Sequence, residues 1–207
     1  MITRHISKNN SILNHFLIEL RDKNIQKDRW RFRQNLERIG EVLSYEMSQT
    51  LNYKSVNIQT VLGEHQKPII QNKLVICSIL RAGLPLHQGV SRFFDDFDNA
   101  FISAYRTHDA EKNKFEIHVE YISTPDLNGR DLILVDPMLA TGHSIVEVYN
   151  TLSKKFNLAS THMLSAIAAQ PGIDYLNLNL PQDTNLWVAD IDEKLNEKGY
   201  IVPGLGD

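Results

Sequence analysis

The stretch from Leu132 to Ser144, Leu-Ile-Leu-Val-Asp-Pro-Met-Leu-Ala-Thr-Gly-His-Ser, limits what this chain can fold into more than any other. Its first four residues form an unbroken apolar run, as a strand buried on both faces of a parallel sheet requires. Asp136 ends the run, and Pro137 removes a backbone donor, so the ladder is expected to stop there. Ala140 to Ser144 are small or hydroxylated apart from His143, and from Ile145 the residues Ile145, Val146, Tyr149 and Leu152 suit one face of a helix. Strand, acidic turn, small-residue loop and helix make an anion cradle. The first amides of a helix lack intrahelical partners and its dipole favours negative charge. Asp136 adds an acceptor for hydroxyls, which points to a ribose phosphate, while the Lys of a nucleoside triphosphate P-loop is absent. On residue types alone, an ordinary strand-to-helix turn capped by Ser or Thr fits the stretch as well.

A second turn has the same construction. Lys73 to Ile79 is a buried strand and ends in Leu80-Arg81-Ala82-Gly83-Leu84-Pro85. A guanidinium among small residues between a strand and a helix can bind two phosphate oxygens while backbone amides complete the cradle. Arg81 alone would also suit an exposed helix start. A pentose with phosphates at both ends needs two cradles, and the chain has two.

Around these turns the chain alternates strands and helices. Residues 1–10 are polar and read as an arm. Helices are expected from Ser11 to Leu20 and from about Asp28 to Gln49, with Asp28 as the cap of the second. Trp30, Arg31 and Arg33 give that helix a basic, aromatic start, which reads as a solvated helix end. Val56 to Thr60 reads as a short edge strand and Leu62 to Asn72 as a loop. Leu84 to Phe94 is a helix and Phe101 to Tyr105 a strand. Arg106 then roots a polar flap, Thr107 to Lys114, from which Phe115 to Ile122 returns. Met163 to Ala169 is another buried strand, Gln170-Pro171-Gly172 a break, Ile173 to Leu178 a short helix, and Leu186 to Ile191 the last strand. The alternation predicts an α/β fold, a mostly parallel sheet flanked by helices, with both phosphate turns at the carboxyl ends of strands. The Gly- and Pro-rich tail, Gly199 to Asp207, reads as a loose C-terminus.

Composition closes off other classes. The net charge of −3 gives no broad footprint for nucleic acid or an anionic membrane. No apolar run is long enough to span a bilayer, and no secretory signal opens the chain. Cys77 is the only cysteine, sits in an apolar run and reads as a small core residue, so the cytoplasm is the expected compartment. Eight histidines show no zinc spacing, and no Gly-x-Ser-x-Gly elbow, dinucleotide fingerprint or repeat appears.

The string Val135-Asp136-Pro137-Met138-Leu139-Ala140-Thr141-Gly142 resembles the ribose-phosphate loop of uracil phosphoribosyltransferases. The arginine motif Leu80 to Leu84, the pair Tyr105-Arg106 and the tail Gly199 to Asp207 extend the likeness over nearly the whole chain. The resemblance implies the type I phosphoribosyltransferase fold with an N-terminal helical extension and a small hood. It implies a single domain over 1–207, with residues 1–50 as a helical arm and 199–207 as a base-binding tail. The implied reaction joins uracil to 5-phosphoribosyl 1-diphosphate, giving UMP and diphosphate. Arg81, Arg106 and Asp136 would be the catalytic residues, and the donor would be held by these with Pro137, Met138, Leu139, Ala140, Thr141, Gly142, His143, Ser144 and Asp207. Uracil would lie against Ala140, Tyr200, Ile201, Gly206 and Asp207. A Mg²⁺ ion would arrive with the donor, with no side-chain metal ligands assigned. The family also implies a homodimer or larger homo-oligomer, and GTP as an effector in some members.

The sequence departs from the family pattern twice. His143 stands where a small residue is usual, and it is expected to point to solvent while its amide does the work. The chain also stops at Asp207 where the family continues, which is expected to weaken the grip on uracil. The two cradles do not name the base, so a phosphoribosyltransferase for another base, or an impaired or regulatory protein on the same fold, stays open on residues alone.

Overall fold

A computed structural model of the chain describes residues 1–109 and 114–206, with the backbone alone for 105–109 and 114–118. The chain opens with β1 (Ile2–His5), a 3₁₀ turn (Ile6–Lys8), and helices α1 (Leu13–Arg21) and α2 (Arg29–Ser48). Strands β2 (Tyr53–Gln59), β3 (Glu64–Ile70) and β4 (Leu74–Leu80) precede α3 (Leu84–Phe93). Then come β5 (Phe97–Asp109), β6 (Lys114–Ser123), β7 (Asp131–Val135), β8 (Met138–Leu139) and α4 (His143–Ser153). The chain ends with β9 (Ser160–Ala169), α5 (Gln170–Asn179), β10 (Asn185–Asp192), β11 (Lys194–Leu195) and β12 (Ile201–Val202).

The main sheet runs β1-β10-β9-β7-β4-β5-β6, and β8 pairs with β9 off that path. Every pairing in it is parallel except β5 with β6. The central strands are apolar on both faces because helices cover both. Ile76, Ile133, Val135 and Leu164 face α1, α2 and α3, and join Leu17, Leu36, Ile39, Leu43, Leu86 and Val90 in one cluster. Their chain neighbours Val75, Cys77, Leu132, Leu134 and Met163 point the other way, to Ile145, Val148 and Leu152 of α4 and Ile173 and Leu176 of α5. Cys77 is fully buried, and that burial pushes its thiol up to about 12, as suits a core residue and not a nucleophile.

Asp28 caps α2 as its sequence position predicts, accepting from the amides of Trp30 and Arg31 at 3.0 Å each. Three expectations need correction. Residues 1–10 are no arm: Ile2–His5 is an edge strand parallel to β10, held by backbone pairing that polar residues make as readily as apolar ones. Leu62 to Asn72 is no loop: Glu64–Ile70 pairs with Tyr53–Gln59 as an antiparallel hairpin. The returning strand is exposed on both sides over nearly its whole length, so no apolar alternation marks it. Gln170-Pro171-Gly172 is no break but the first turn of α5, where Pro is tolerated.

Candidate active site

Strands β4 and β7 are neighbours, with Ser78 opposite Val135, so the turns that follow them leave the same edge of the sheet side by side. The arginine turn carries a cis peptide between Leu80 and Arg81. After Asp136 the backbone does not abandon the ladder as Pro137 suggested. Pro137 donates nothing, but its carbonyl accepts from the Ile167 amide at 3.0 Å, and Met138–Leu139 resumes parallel pairing with Ile167–Ala168. The Ser165 hydroxyl donates to the Asp136 carbonyl at 2.7 Å. The cradle is thereby fastened to β9 along its length.

At the end of this run Gly142 caps α4 with φ of 80°, in the left-handed region. A Cβ there would lie 2.5 Å from Leu176 Cδ1 and 2.9 Å from the Gly172 carbonyl oxygen, so glycine is required by both backbone and space. Gly172 meets the same demand from the other side, since a Cβ on it would lie 2.2 Å from the Ala140 carbonyl oxygen. The first turn of α5 therefore backs the cradle, a role that the sequence reading of Gln170–Gly172 missed. The cradle encloses about 40 Å³, lined by Asp136, Met138 to Gly142, Ser144 and Ile145. That is room for a small anionic group against the first amides of α4.

The Asp136 carboxyl is enclosed where the residue meets this cavity. Burial pushes it up to about 7, against a weak opposing pull from the Met138 amide at 3.4 Å. Burial thus favours the protonated acid more than in an exposed carboxyl. Hydroxyl donors or a nearby cation would favour the carboxylate.

Beside the cradle lies a second cavity of about 280 Å³. It is lined by Arg81 and Ala82 from the arginine turn, Pro137 and Met138 from the cradle, and Leu205 from the tail. Met138 lines both cavities, so the two share a wall. Phe32, Arg33 and Leu36 of α2 complete its wall. The start of α2 is exposed, as a solvated helix end is, and Arg33 also lines this cavity, which no sequence signal marks. The side chains of Arg81 and Arg33, both exposed residues, have no hydrogen-bond or ion-pair partner among the described residues.

Other residues fall elsewhere. His143 is exposed, as expected, and its ring stacks on Tyr175 of α5 with centroids 4.2 Å apart, outside the cradle. Ile201 is buried in the core, pairs with Leu195 in the β11–β12 ladder and lines neither cavity. Tyr200 lines a separate groove of about 610 Å³ with Lys194 to Lys198. Gly206 has φ of 92° and lies near the Gln26 side chain. The Arg106 side chain, residues 110–113 of the flap and Asp207 lie outside the described residues. Among the described residues no group of three or more His, Cys, Asp or Glu is placed to hold a metal ion, and no helix is long and apolar enough to cross a membrane.

Adjacent anion turns at the carboxyl edge of a mostly parallel sheet, with a carboxyl group between them, define a phosphoribosyltransferase of the type I fold. Solved structures share the fold. The AQ2163 protein from Aquifex aeolicus is 26% identical with a TM-score of 0.86, over 100% of this chain and 95% of that one. A hypoxanthine phosphoribosyltransferase from Staphylococcus aureus shares the fold at 10% identity and a TM-score of 0.54, over 84% of this chain and 85% of that one. The model of the family described as Uracil phosphoribosyltransferase matches residues 7–207. A uracil phosphoribosyltransferase of Porphyromonas gingivalis is 46% identical over 98% of this chain and 94% of its own length. That of Pyrococcus furiosus is 35% identical over 92% and 81%. The chain belongs to the uracil phosphoribosyltransferase family.

Proposed function

We propose that this protein is a pyrimidine salvage enzyme that joins uracil to 5-phosphoribosyl 1-diphosphate and releases UMP and diphosphate. The observation that carries this reading is the meeting of three segments, Arg81, the Pro137–Met138 step and Leu205, on one cavity beside the Asp136–Ser144 cradle. The donor is a sugar with anions at both ends, and the base needs a loop that closes between them.

Breaking the anomeric bond places positive charge on the ribose ring and negative charge on the departing diphosphate. In this reading the amides of Thr141 to Ser144 hold the 5′-phosphate and Asp136 accepts the ribose hydroxyls. Arg81 takes the diphosphate with Arg106, and Arg33 adds a second guanidinium to the same cavity. Backbone groups of Ala140, Ile201 and Gly206 read the two carbonyls and one N–H of uracil, and they hold N1 in line with the anomeric carbon. This positioning substitutes for a covalent nucleophile. The donor set also fits a Mg²⁺ ion brought by the substrate. Asp136 is the one carboxylate lining the cradle, and Mg²⁺ binds through one or two carboxylates with substrate phosphates and water. Such an ion supplies neutralisation of the leaving diphosphate.

The reading extends to a homo-oligomer. Val61 and Leu62, at the tip of the β2–β3 hairpin, are 101% and 97% exposed, an apolar pair that a second copy would cover. A reducing compartment, the cytoplasm, suits the single buried thiol.

The test is product formation from labelled uracil, the diphosphate donor and Mg²⁺, with and without GTP, beside cytosine, hypoxanthine and adenine. UMP from uracil alone is expected. Donor binding without UMP, or a product with another base in its place, would overturn the assignment.

A further inference from the structure

The tail bears on the cavity through Leu205, and the residue before it is held in an unusual way. The amide of Gly204 donates to Asp192 Oδ2 at 3.0 Å, and its carbonyl accepts from Arg21 Nη1 at 3.0 Å. Both backbone ends of one residue are therefore fixed by side chains from elsewhere. Arg21 is the last residue of α1, and Asp192 the last of β10. The two side chains also pair end-on, with Nη1 donating to Oδ2 and Nη2 to Oδ1 at 2.9 Å each. Asp192 is buried at 7% exposure, so this pairing is shielded from water. Asp190, two residues back on the same face of β10, accepts from Arg21 Nη2 at 2.8 Å but does not touch the tail. It is tied instead to the N-terminal segment, with His5 Nε2 and the Ser7 hydroxyl each 3.0 Å from its Oδ1.

We infer that Arg21 and Asp192 are positioning residues for base recognition: they clamp Gly204 so that the next two residues present their backbone to the base. A loop rich in Gly and Pro near a chain end has much freedom to lose on binding. A clamp that removes this freedom beforehand tightens uracil binding far more than donor binding, since the donor is held chiefly by the other two turns. Neither residue lines the cavity, so both act through the tail. The inference rests on the uracil reading given above.

The experiment compares Arg21→Lys, Asp192→Asn and Asp190→Asn with the wild type in steady-state kinetics, each checked by circular dichroism and melting. A lysine keeps the charge but, with one nitrogen on a shorter stem, loses the two-nitrogen grip on Asp192 that fixes the geometry at Gly204, and an amide at 192 loses the charge and one acceptor of that pair. Asp190→Asn weakens the same network on the side away from the tail, so it reports any merely structural effect. The expected result is a KM for uracil raised about tenfold or more in Arg21→Lys and Asp192→Asn, with the donor KM within about twofold. Asp190→Asn is expected to keep both near wild type. Equal rises in both KM values, an effect in Asp190→Asn matching that in Arg21→Lys, or no change in any variant would overturn the clamp. A wild type that makes no UMP would overturn the reading beneath it, and that outcome appears before any variant is compared.

Discussion

Replacing Asp136 by Asn tests how the cradle balances stability against recognition. The side chain keeps its size and an oxygen for the Met138 amide, but it can no longer ionise. Burial lifts the Asp136 carboxyl from its ordinary 3.8 to about 7, so over that range the folded chain keeps a proton that the unfolded chain gives up. The stability linked to this proton is fully present below about pH 4 and is lost as pH rises through about 7. The loss is about 1.4 kcal/mol per pH unit, or about 4 kcal/mol in all. Asn at 136 escapes it. Between about pH 5 and pH 8 the variant should therefore gain about 2–3 kcal/mol on the wild type, roughly 5–10 °C in melting temperature for a chain of this length. Donor affinity should fall in the same variant, because an amide offers one acceptor where two ribose hydroxyls need a carboxylate. Urea denaturation at the two pH values, followed by circular dichroism, measures the stability difference, and calorimetry measures donor binding. Stability profiles that run parallel in pH for the two proteins would refute the reasoning.

Gly142→Ala forces a left-handed residue to carry a Cβ 2.5 Å from Leu176 Cδ1, and should cost about 2 kcal/mol or more with loss of donor binding; denaturation and calorimetry check both. Arg33→Ala should weaken donor binding about tenfold without changing stability, as loss of one charge-assisted contact implies. Unchanged donor affinity in titration calorimetry would place Arg33 outside the site. Leu62→Ser, at a side chain that packs on nothing within the chain, should leave the melting temperature in place and shift sedimentation toward smaller species.

The parts of this fold that were legible in the sequence are those where burial on both faces leaves an apolar run. Leu74–Ile79, Leu132–Val135 and Met163–Ala169 announce themselves in this way, and with them the two turns that β4 and β7 deliver. The Asp28 cap was legible because its chemistry is local. Ile2–His5 and Glu64–Ile70 were not, since an edge strand and a returning strand exposed on both sides over nearly its whole length carry no apolar period. The place of Arg33 was hidden for a different reason. Its reach to the cavity depends on α2 passing beside the arginine turn and the tail, which no local pattern encodes. Gly172 was likewise read as a break, because its reason to be glycine is the Ala140 carbonyl more than thirty residues away in the chain. The clamp on Gly204 joins residues 21 and 192, so it too exists only in the folded chain.

In the proposed reaction one donor bridges two turns while the tail closes over the base. A crystal structure of the protein with 5-phosphoribosyl 1-diphosphate, Mg²⁺ and a uracil analogue tests that most directly. The 5′-phosphate should lie on the amides of Thr141 to Ser144, the diphosphate at Arg81, and the analogue against the backbone near Ile201 and Gly206. A donor bound in the groove beside Tyr200, or an analogue seated away from the tail, would contradict it.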